Sequence, residues 1–277
     1  MKEELRILII IGIWNCISSI EFSDWRDYPT CRLGRLQSPI EIKETESKYS
    51  NDFSFVYQNY KQVNNIKIEG NATNFALTSG EINGGYINFE RGGVIKQYEL
   101  IRIDVYNGLH KIDGQKSDYE LHLVHKKNLD FNTNKNQYRS IQDANMYLTV
   151  VLRYNKKDNC DKNICASDAG LLKTLNVFND VTNFNLNSYS IFQEKRAFLY
   201  EGASLHIPCD ENVNYYIVND IFIYDGNFDA IKDNKIDISK TYDRPIYKNF
   251  MNYKEVMKSN IISVKMFSLL LLIYILL

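Results

Sequence analysis

The chain has 277 residues, of which 44% are hydrophobic and 24% are charged, fractions that exclude a disordered or collagen-like chain. Lys and Arg number 33 against 34 Asp and Glu, so no net positive charge attracts nucleic acid, and we expect no nucleic-acid partner. Tyr and Phe, at 20 and 14, outnumber the 13 Gly and 4 Pro, a balance that favours β-strands.

The N-terminus, residues 1–20, is predicted to be a signal peptide. It has a weakly basic start, and the apolar run at 7–14 is too short to span a bilayer as a mature helix. Ser18 and Ser19 provide the small residues that signal peptidase requires. We therefore expect a mature chain that begins near residue 21 and enters the secretory pathway.

The body of the chain contains segments with the composition and alternation of strands. The clearest are 98–106, 119–125, 146–154 and 215–224. One further segment, 166–178, has the apolar spacing of a short helix. These segments predict a mainly β domain with one or two short helices.

The segment 98–106 carries polar residues on alternate positions. Strict alternation predicts that Asp104 and Tyr106 share one face and that Ile101 and Val105 share the other. We expect Ile101 and Val105 to belong to the core. The face that carries Asp104 is then expected to point to solvent or to a polar cavity.

Four cysteines remain after removal of the signal peptide, an even number that predicts disulfides in a secreted chain. Cys160 and Cys165 flank a short polar loop and are expected to pair with each other. That pairing leaves Cys31 with Cys209.

The C-terminal segment 256–277 is mostly apolar from 261 onward. Together with a signal peptide, such a tail is typical of a lipid-anchor signal that is exchanged for the lipid. Ser259 and Asn260 are the candidate attachment positions. A single short spanning helix is the alternative, and both predict attachment to the outer face of a membrane.

Four short motifs carry a family resemblance. They are QSPIEI at 37–42, ELHLVH at 120–125, YEG at 200–202 followed by PCDENV at 208–213, and RP at 244–245. In this order and at these spacings they resemble the motifs of the α-class carbonic anhydrases. The resemblance covers the domain 21–255.

The resemblance implies the fold and one disulfide. The family has a single mainly β (α+β) domain with a twisted, mostly antiparallel sheet of about ten strands, short peripheral helices and a conical cleft. Its secreted members carry a disulfide that aligns with Cys31 and Cys209.

The resemblance also implies where zinc would bind. The family holds Zn²⁺ through three histidines, and the aligned positions here are Asp104, Tyr106 and His122. Only His122 is an imidazole, so we expect no zinc and no other cofactor. A lone histidine of this kind is expected to be held by hydrogen bonds.

Other residues of the cleft depart from the family pattern too. The hydroxyl group that orients the zinc-bound hydroxide is replaced by Leu205, next to His206. The proton-shuttle histidine is replaced by Asn71. His110 and Glu120 keep their family identities and are expected to form hydrogen bonds near the cleft.

These departures predict a non-catalytic protein. The leading interpretation is an extracellular binding module for an unidentified protein or glycan ligand. The alternative is a divergent carbonate dehydratase or esterase-like enzyme with zinc at a rearranged site of Asp104, His122 and His206. A purely structural role in a surface coat is a third interpretation.

One modification site is predicted. Asn71-Ala-Thr73 is an N-x-T acceptor sequence in a secreted chain, so we expect an N-linked glycan on Asn71 at the rim of the cleft.

Overall fold

The computed structural model describes residues 31, 34–60, 62–64, 67–71, 74–78, 85–131, 145–156, 183–185, 196–206, 209–224 and 244–251. Its strands are β1 (Glu41–Ile42), β2 (Lys48–Tyr49), β3 (Phe53–Tyr60), β4 (Gln62–Asn64), β5 (Lys67–Asn71), β6 (Asn74–Thr78), β7 (Gly85–Arg91), β8 (Val94–Asn107), β9 (Lys111–Ile112), β10 (Gln115–Lys116), β11 (Tyr119–Lys127), β12 (Tyr147–Lys156), β13 (Asn183–Asn185), β14 (Ala197–Gly202), β15 (Val213–Tyr224) and β16 (Tyr247–Lys248). Among these residues, no helix has the length and apolar character that crossing a membrane requires. The predicted signal peptide, the predicted helix at 166–178, the pair Cys160 and Cys165, and the tail with Ser259 and Asn260 lie outside the described residues.

A central sheet of eleven strands dominates the described part of the chain. Its main path runs β2-β16-β14-β15-β12-β11-β8-β6-β5. Strand β7 pairs with the first half of β8, and β3 pairs with β7. Most neighbours are antiparallel; β12 with β15 and β2 with β16 are parallel. The prediction of a mostly antiparallel sheet of about ten strands is confirmed.

The four segments with strand patterns form the centre of this sheet. They correspond to β8, β11, β12 and β15, which lie side by side in the order β15-β12-β11-β8. Alternating apolar and polar residues favour such strands because each face of the sheet meets a different environment.

The expected alternation along β8 is wrong at one position. Leu100 is buried and Ile101 is 36% exposed, whereas strict alternation predicted Ile101 in the core. The register explains the difference: Val124 of β11 pairs with Arg102 and His125 pairs with Leu100, so Ile101 is the extra residue of a β-bulge. The bulge turns Ile101 toward the cleft described below.

Apolar side chains fill both faces of the sheet. On one face, a cluster that includes Leu121, Leu123, Leu148 and Val150 is almost completely buried. On the other, Val151 packs into a second cluster with residues of β14 and β15. The residues that alternate with the first cluster along β11 and β12 are therefore available to build a site on the second face.

Candidate functional site

A cleft of about 220 Å³ opens on the second face of the sheet. Strands β8, β11, β12 and β15 provide its floor, and the segment between β14 and β15 provides one wall. The residues that determine its chemistry are Arg102, Asp104, Tyr106, His122, Leu205 and His206.

The sheet register brings the three aligned zinc positions together. Asp104 of β8 lies directly opposite His122 of β11, and Tyr106 lies opposite Glu120 on the same two strands. Because alternate residues of a strand share a face, Asp104, Tyr106 and His122 all face the cleft. The sheet register therefore brings these three residues together on the cleft floor.

Two of these side chains contact His206. The Nε2 atom of His206 lies 2.9 Å from Oδ2 of Asp104 and 3.1 Å from the hydroxyl oxygen of Tyr106. On the other side of Asp104, Nε of Arg102 donates to Oδ2 at 3.1 Å and lies 2.8 Å from Oδ1. Asp104 thus lies between a guanidinium group and an imidazole.

The environment keeps Asp104 ionised. Burial favours the neutral acid, but the hydrogen bond and charge of His206 and the charge of Arg102 outweigh it, and the pKa of Asp104 lies below its ordinary value. A charged carboxylate accepts stronger hydrogen bonds than a neutral acid does. The three residues therefore form an ion-pair network in which the ionised Asp104 is paired with Arg102 and bonded to His206.

Glu120 lies beneath the cleft floor and organises a second network. Its Oε1 accepts hydrogen bonds from the backbone N–H groups of Leu109 and His110, at 3.1 and 2.8 Å. Its Oε2 lies 2.8 Å from Nδ1 of His110 and 2.9 Å from Nε2 of His122. All of these side chains are buried, so the hydrogen bonds of Glu120 replace its lost hydration.

The second network continues away from the cleft. The Nε2 atom of His110 lies 2.8 Å from the hydroxyl of Tyr200, which lies 3.1 Å from Oγ of Ser38. Gly202 is required nearby, because a Cβ atom there would collide with Ser38 Oγ. His110 and Glu120 were predicted as cleft residues; they do not line the cleft but lie beneath its floor, where Glu120 orients His122.

The burial of this network fixes its protonation. Burial alone would raise the pKa of Glu120, but the charges and hydrogen bonds of His110 and His122 hold it well below its usual range. Burial lowers the pKa of His122, against the opposing effect of Glu120. His122 is therefore neutral at pH 7 and donates its Nε2–H to Glu120.

His110, Glu120 and His122 form the one group of at least three potential metal ligands among the described residues whose donor atoms lie within 4.8 Å of one another. The two distances from Glu120 Oε2 to the imidazole nitrogens are hydrogen-bond lengths, all three side chains are buried, and of the three only His122 lines the cleft. We interpret this group as a hydrogen-bond network. The predicted alternative set of Asp104, His122 and His206 does not form such a group; only Asp104 and His206 make direct contact.

A disulfide holds the wall that carries Leu205 and His206. Cys209 is bonded to Cys31, as predicted. The N–H of Cys209 donates to the carbonyl of His206 at 2.8 Å, and the N–H of His206 donates to Oγ of Ser204 at 3.1 Å. Disulfides form and persist in oxidising compartments, so this bond indicates maturation in the secretory pathway.

The comparisons with known proteins agree with this fold. The family model described as eukaryotic-type carbonic anhydrase matches residues 21–264. The chain belongs to this family. Carbonic anhydrase 6 of Mus musculus is 24% identical over 268 residues, which cover 86% of this chain and 80% of that protein.

A second curated relative and one solved structure are also similar to this chain. A carbonic anhydrase of Nostoc sp. is 23% identical over 219 residues, with 74% of this chain and 72% of that protein covered. Among solved structures, dioscorin complexed with ascorbate is similar with a TM-score of 0.58 and 17% identity, covering 82% of this chain and 91% of that one. At this identity the likeness shows the fold.

The donor atoms at the three carbonic anhydrase metal positions do not fit a zinc site of three neutral imidazoles. Asp104 is ion-paired to Arg102 and bonded to His206, and the Tyr106 hydroxyl contacts the same imidazole. His122 has only its Nδ1 atom left for a ligand, since Nε2 is bonded to Glu120. Asp104 and Tyr106 are thus both bonded to His206, and His122 is bonded to Glu120.

The remaining predicted site residue is Asn71. It is the last residue of β5, and β6 begins at Asn74, with Asn71 and Asn74 paired across the hairpin. The acceptor sequence therefore spans a hairpin connection between neighbouring strands. Its side chain lies outside the described part of the structure.

Proposed function

We propose that this carbonic anhydrase family member is an extracellular binding protein without zinc hydratase activity. One observation carries the proposal: Asp104, at a family metal position, is held by Arg102 and His206 in a closed ion-pair network. Binding a metal at this position would require breaking both contacts and leaving a part-buried guanidinium group without its partner, which is costly.

A second residue supports the same proposal. Leu205 lines the cleft where the resemblance implies a hydroxyl group that orients the reacting hydroxide. A leucine side chain neither donates nor accepts a hydrogen bond. The loss of this group and of two metal ligands removes complementary parts of one mechanism.

The test is a zinc analysis of the purified protein combined with a CO₂ hydration assay. We expect substoichiometric zinc after dialysis against zinc-containing buffer, and hydration no faster than buffer. An active carbonic anhydrase of the family provides the positive control. Stoichiometric zinc together with hydration above buffer would overturn the proposal.

The divergent-enzyme alternative rests on the contact between Asp104 and His206 in the cleft. An Asp104→Asn variant separates the alternatives. If a rearranged metal site supports hydration or ester hydrolysis, the wild-type activity must exceed that of this variant. A binding protein shows no such difference.

We also propose that the mature protein is attached to the outer face of a membrane through its C-terminal segment. The apolar composition of 261–277 supports this location. Release by a phosphatidylinositol-specific phospholipase would indicate a lipid anchor, and retention in the membrane fraction would indicate a spanning helix. Recovery of the full-length protein from the aqueous medium would contradict both forms of attachment.

A further inference from the structure

In the ion-pair network of the cleft, the carboxylate side chain is far less exposed to solvent than the two nitrogen-bearing side chains that contact it. The Asp104 side chain is 3% exposed, whereas the side chains of Arg102 and His206 are 26% and 28% exposed. The negative partner is therefore behind the surface, and the cleft presents the positive and hydrogen-bond-donating partners. This arrangement favours an anionic ligand.

Arg102 retains donors for such a ligand. It contacts Asp104 through Nε, and no hydrogen bond of its two terminal nitrogens is found within the described residues. A guanidinium group has five N–H donors in a planar fork, a geometry that matches the two oxygens of a carboxylate. Asp104 fixes one edge of the group and so restricts its orientation.

The wall between β14 and β15 offers an acceptor. Oδ1 of Asn212 is buried and has no hydrogen-bond partner within the described residues, although Asn212 lines the cleft. A buried carbonyl oxygen without a donor is unfavourable, and a ligand hydroxyl would supply one. The hydroxyl of Ser204, on the same wall, remains able to donate because its oxygen accepts from the His206 N–H.

An apolar strip completes the cleft. Ile101, exposed by the β-bulge, and Val124 line it beside these polar groups. A ligand with one charged end, several hydroxyl groups and an apolar ring face would contact every part of the surface. Asp210 also lines the cleft, but it is exposed and its charge is screened by solvent.

We propose that the cleft binds a small hydroxylated carboxylate of the sugar-acid class. The terminal nitrogens of Arg102 hold the carboxylate, Asn212 accepts a hydrogen bond from a ligand hydroxyl, and Ile101 packs against the ring. The cleft volume of about 220 Å³ restricts the bound part to a single small ring. This inference rests on the proposed binding function and names its ligand class.

The experiment is a calorimetric titration of the full chain with D-glucuronate and with D-glucose. The two sugars share a ring and differ in that a carboxylate replaces a hydroxymethyl group. We expect saturable binding of glucuronate and binding of glucose at least about tenfold weaker, because a charge-assisted contact is lost. Equal affinities, or no binding of glucuronate, would overturn the proposal.

Variants locate the site. Arg102→Gln is expected to weaken glucuronate binding at least about tenfold, and Arg102→Lys to weaken it to a smaller extent by keeping the charge without the fork. Arg91→Gln is the matched control, since Arg91 is also part-buried and paired with an acid, Glu201, but does not line the cleft. Equal weakening by Arg102→Gln and Arg91→Gln would contradict the assignment.

A second variant keeps the proposal testable if the first variant does not fold. If Arg102→Gln fails to fold, Asn212→Leu replaces the acceptor without touching the ion-pair network and is expected to weaken glucuronate binding several-fold. Unchanged affinity in a folded Asn212→Leu protein would overturn the proposed orientation. If the protein has no hydratase activity and does not bind glucuronate, only this inference is contradicted. If it shows zinc-dependent hydration, the proposed function itself is contradicted.

Discussion

The imidazole of His206 lies 2.9 Å from the carboxylate of Asp104, and this contact joins two parts of the chain that are 102 residues apart. Asp104 belongs to the central sheet and His206 to a wall that is tied down by the Cys31–Cys209 disulfide. The contact therefore links the floor of the cleft to its wall.

Loss of the Asp104 charge is predicted to destabilise the fold. Asp104→Asn leaves Arg102 and His206 without their charged acceptor, and the expected loss is about 1.5–3 kcal/mol of the free energy of unfolding. Urea denaturation followed by fluorescence measures it. The matched control is Asp220→Asn, a partly exposed residue of β15, for which a change within about 0.5 kcal/mol is expected. Equal changes in the free energy of unfolding for the two substitutions would show that the ion-pair network does not contribute to stability.

The sequence alone predicted the central strands, because alternation is a property of the local pattern. The family resemblance, and not the local pattern, implied that Asp104 and His122 belong to one site, and the register pairs them. The sequence did not predict the β-bulge at Ile101, since a bulge depends on the register of two strands rather than on the residues of one. Nor did it predict that His122 and His110 share Glu120 Oε2. That contact joins segments whose relative position is set by the whole sheet.

Acid is predicted to destabilise the protein partly through His125. Its Nδ1 bonds the carbonyl of Leu148, its Nε2 lies 2.8 Å from the Tyr60 hydroxyl, and burial lowers the pKa from 6.5 to about 4. Between these two values the unfolded chain binds more protons than the folded protein, so stability falls as the pH falls. A shift of this size corresponds to about 3 kcal/mol, lost between about pH 6.5 and 4.

The measurement is the free energy of unfolding from pH 7 to pH 4. His125→Gln keeps a donor and an acceptor but does not titrate, so we expect a shallower pH dependence in this variant. Tyr60→Phe removes the hydrogen bond between the Tyr60 hydroxyl and Nε2 of His125 but retains the imidazole. This variant must keep the wild-type dependence of stability on pH. Identical slopes in His125→Gln and Tyr60→Phe would contradict the role of His125.

The disulfides are predicted to differ in their contributions. The Cys31–Cys209 bond connects residues 178 positions apart, and its loss in a Cys31→Ser/Cys209→Ser variant should cost up to about 4–5 kcal/mol on the chain-entropy argument. The predicted Cys160–Cys165 bond closes a short loop and should contribute less. Mass spectrometry of non-reduced peptides checks both pairings; free thiols at Cys160 and Cys165 would refute the second.

Asn71 is predicted to carry an N-linked glycan. Asn71 is the last residue of β5 and the first residue of the acceptor sequence Asn71-Ala-Thr73, whose use requires a secreted chain. Enzymatic deglycosylation of protein from a eukaryotic secretory host should increase its gel mobility. Asn71→Gln should abolish that change, while Asn74→Gln, a neighbour outside the acceptor sequence, should leave it intact.

The last prediction concerns recovery of a metal site. Asp104→His with Tyr106→His places imidazoles at the two positions that face His122 on the cleft floor, so that three neutral nitrogen donors are available, as zinc prefers. We expect the double variant to bind about one zinc ion per chain and the wild type to bind far less. Each single variant should show intermediate affinity, because every imidazole replaces a less suitable donor.

The double variant should remain a slow catalyst of CO₂ hydration. Leu205 still lacks a hydroxyl group, so Leu205→Thr in the same background should raise the rate without changing the zinc content. Leu109→Thr is the matched control: Leu109 is buried behind the cleft beside Glu120 and does not line it. If the double variant folds, shown by its thermal transition and an intact Cys31–Cys209 bond, and yet binds no more zinc than the wild type, the alignment of Asp104 and Tyr106 with metal positions is wrong.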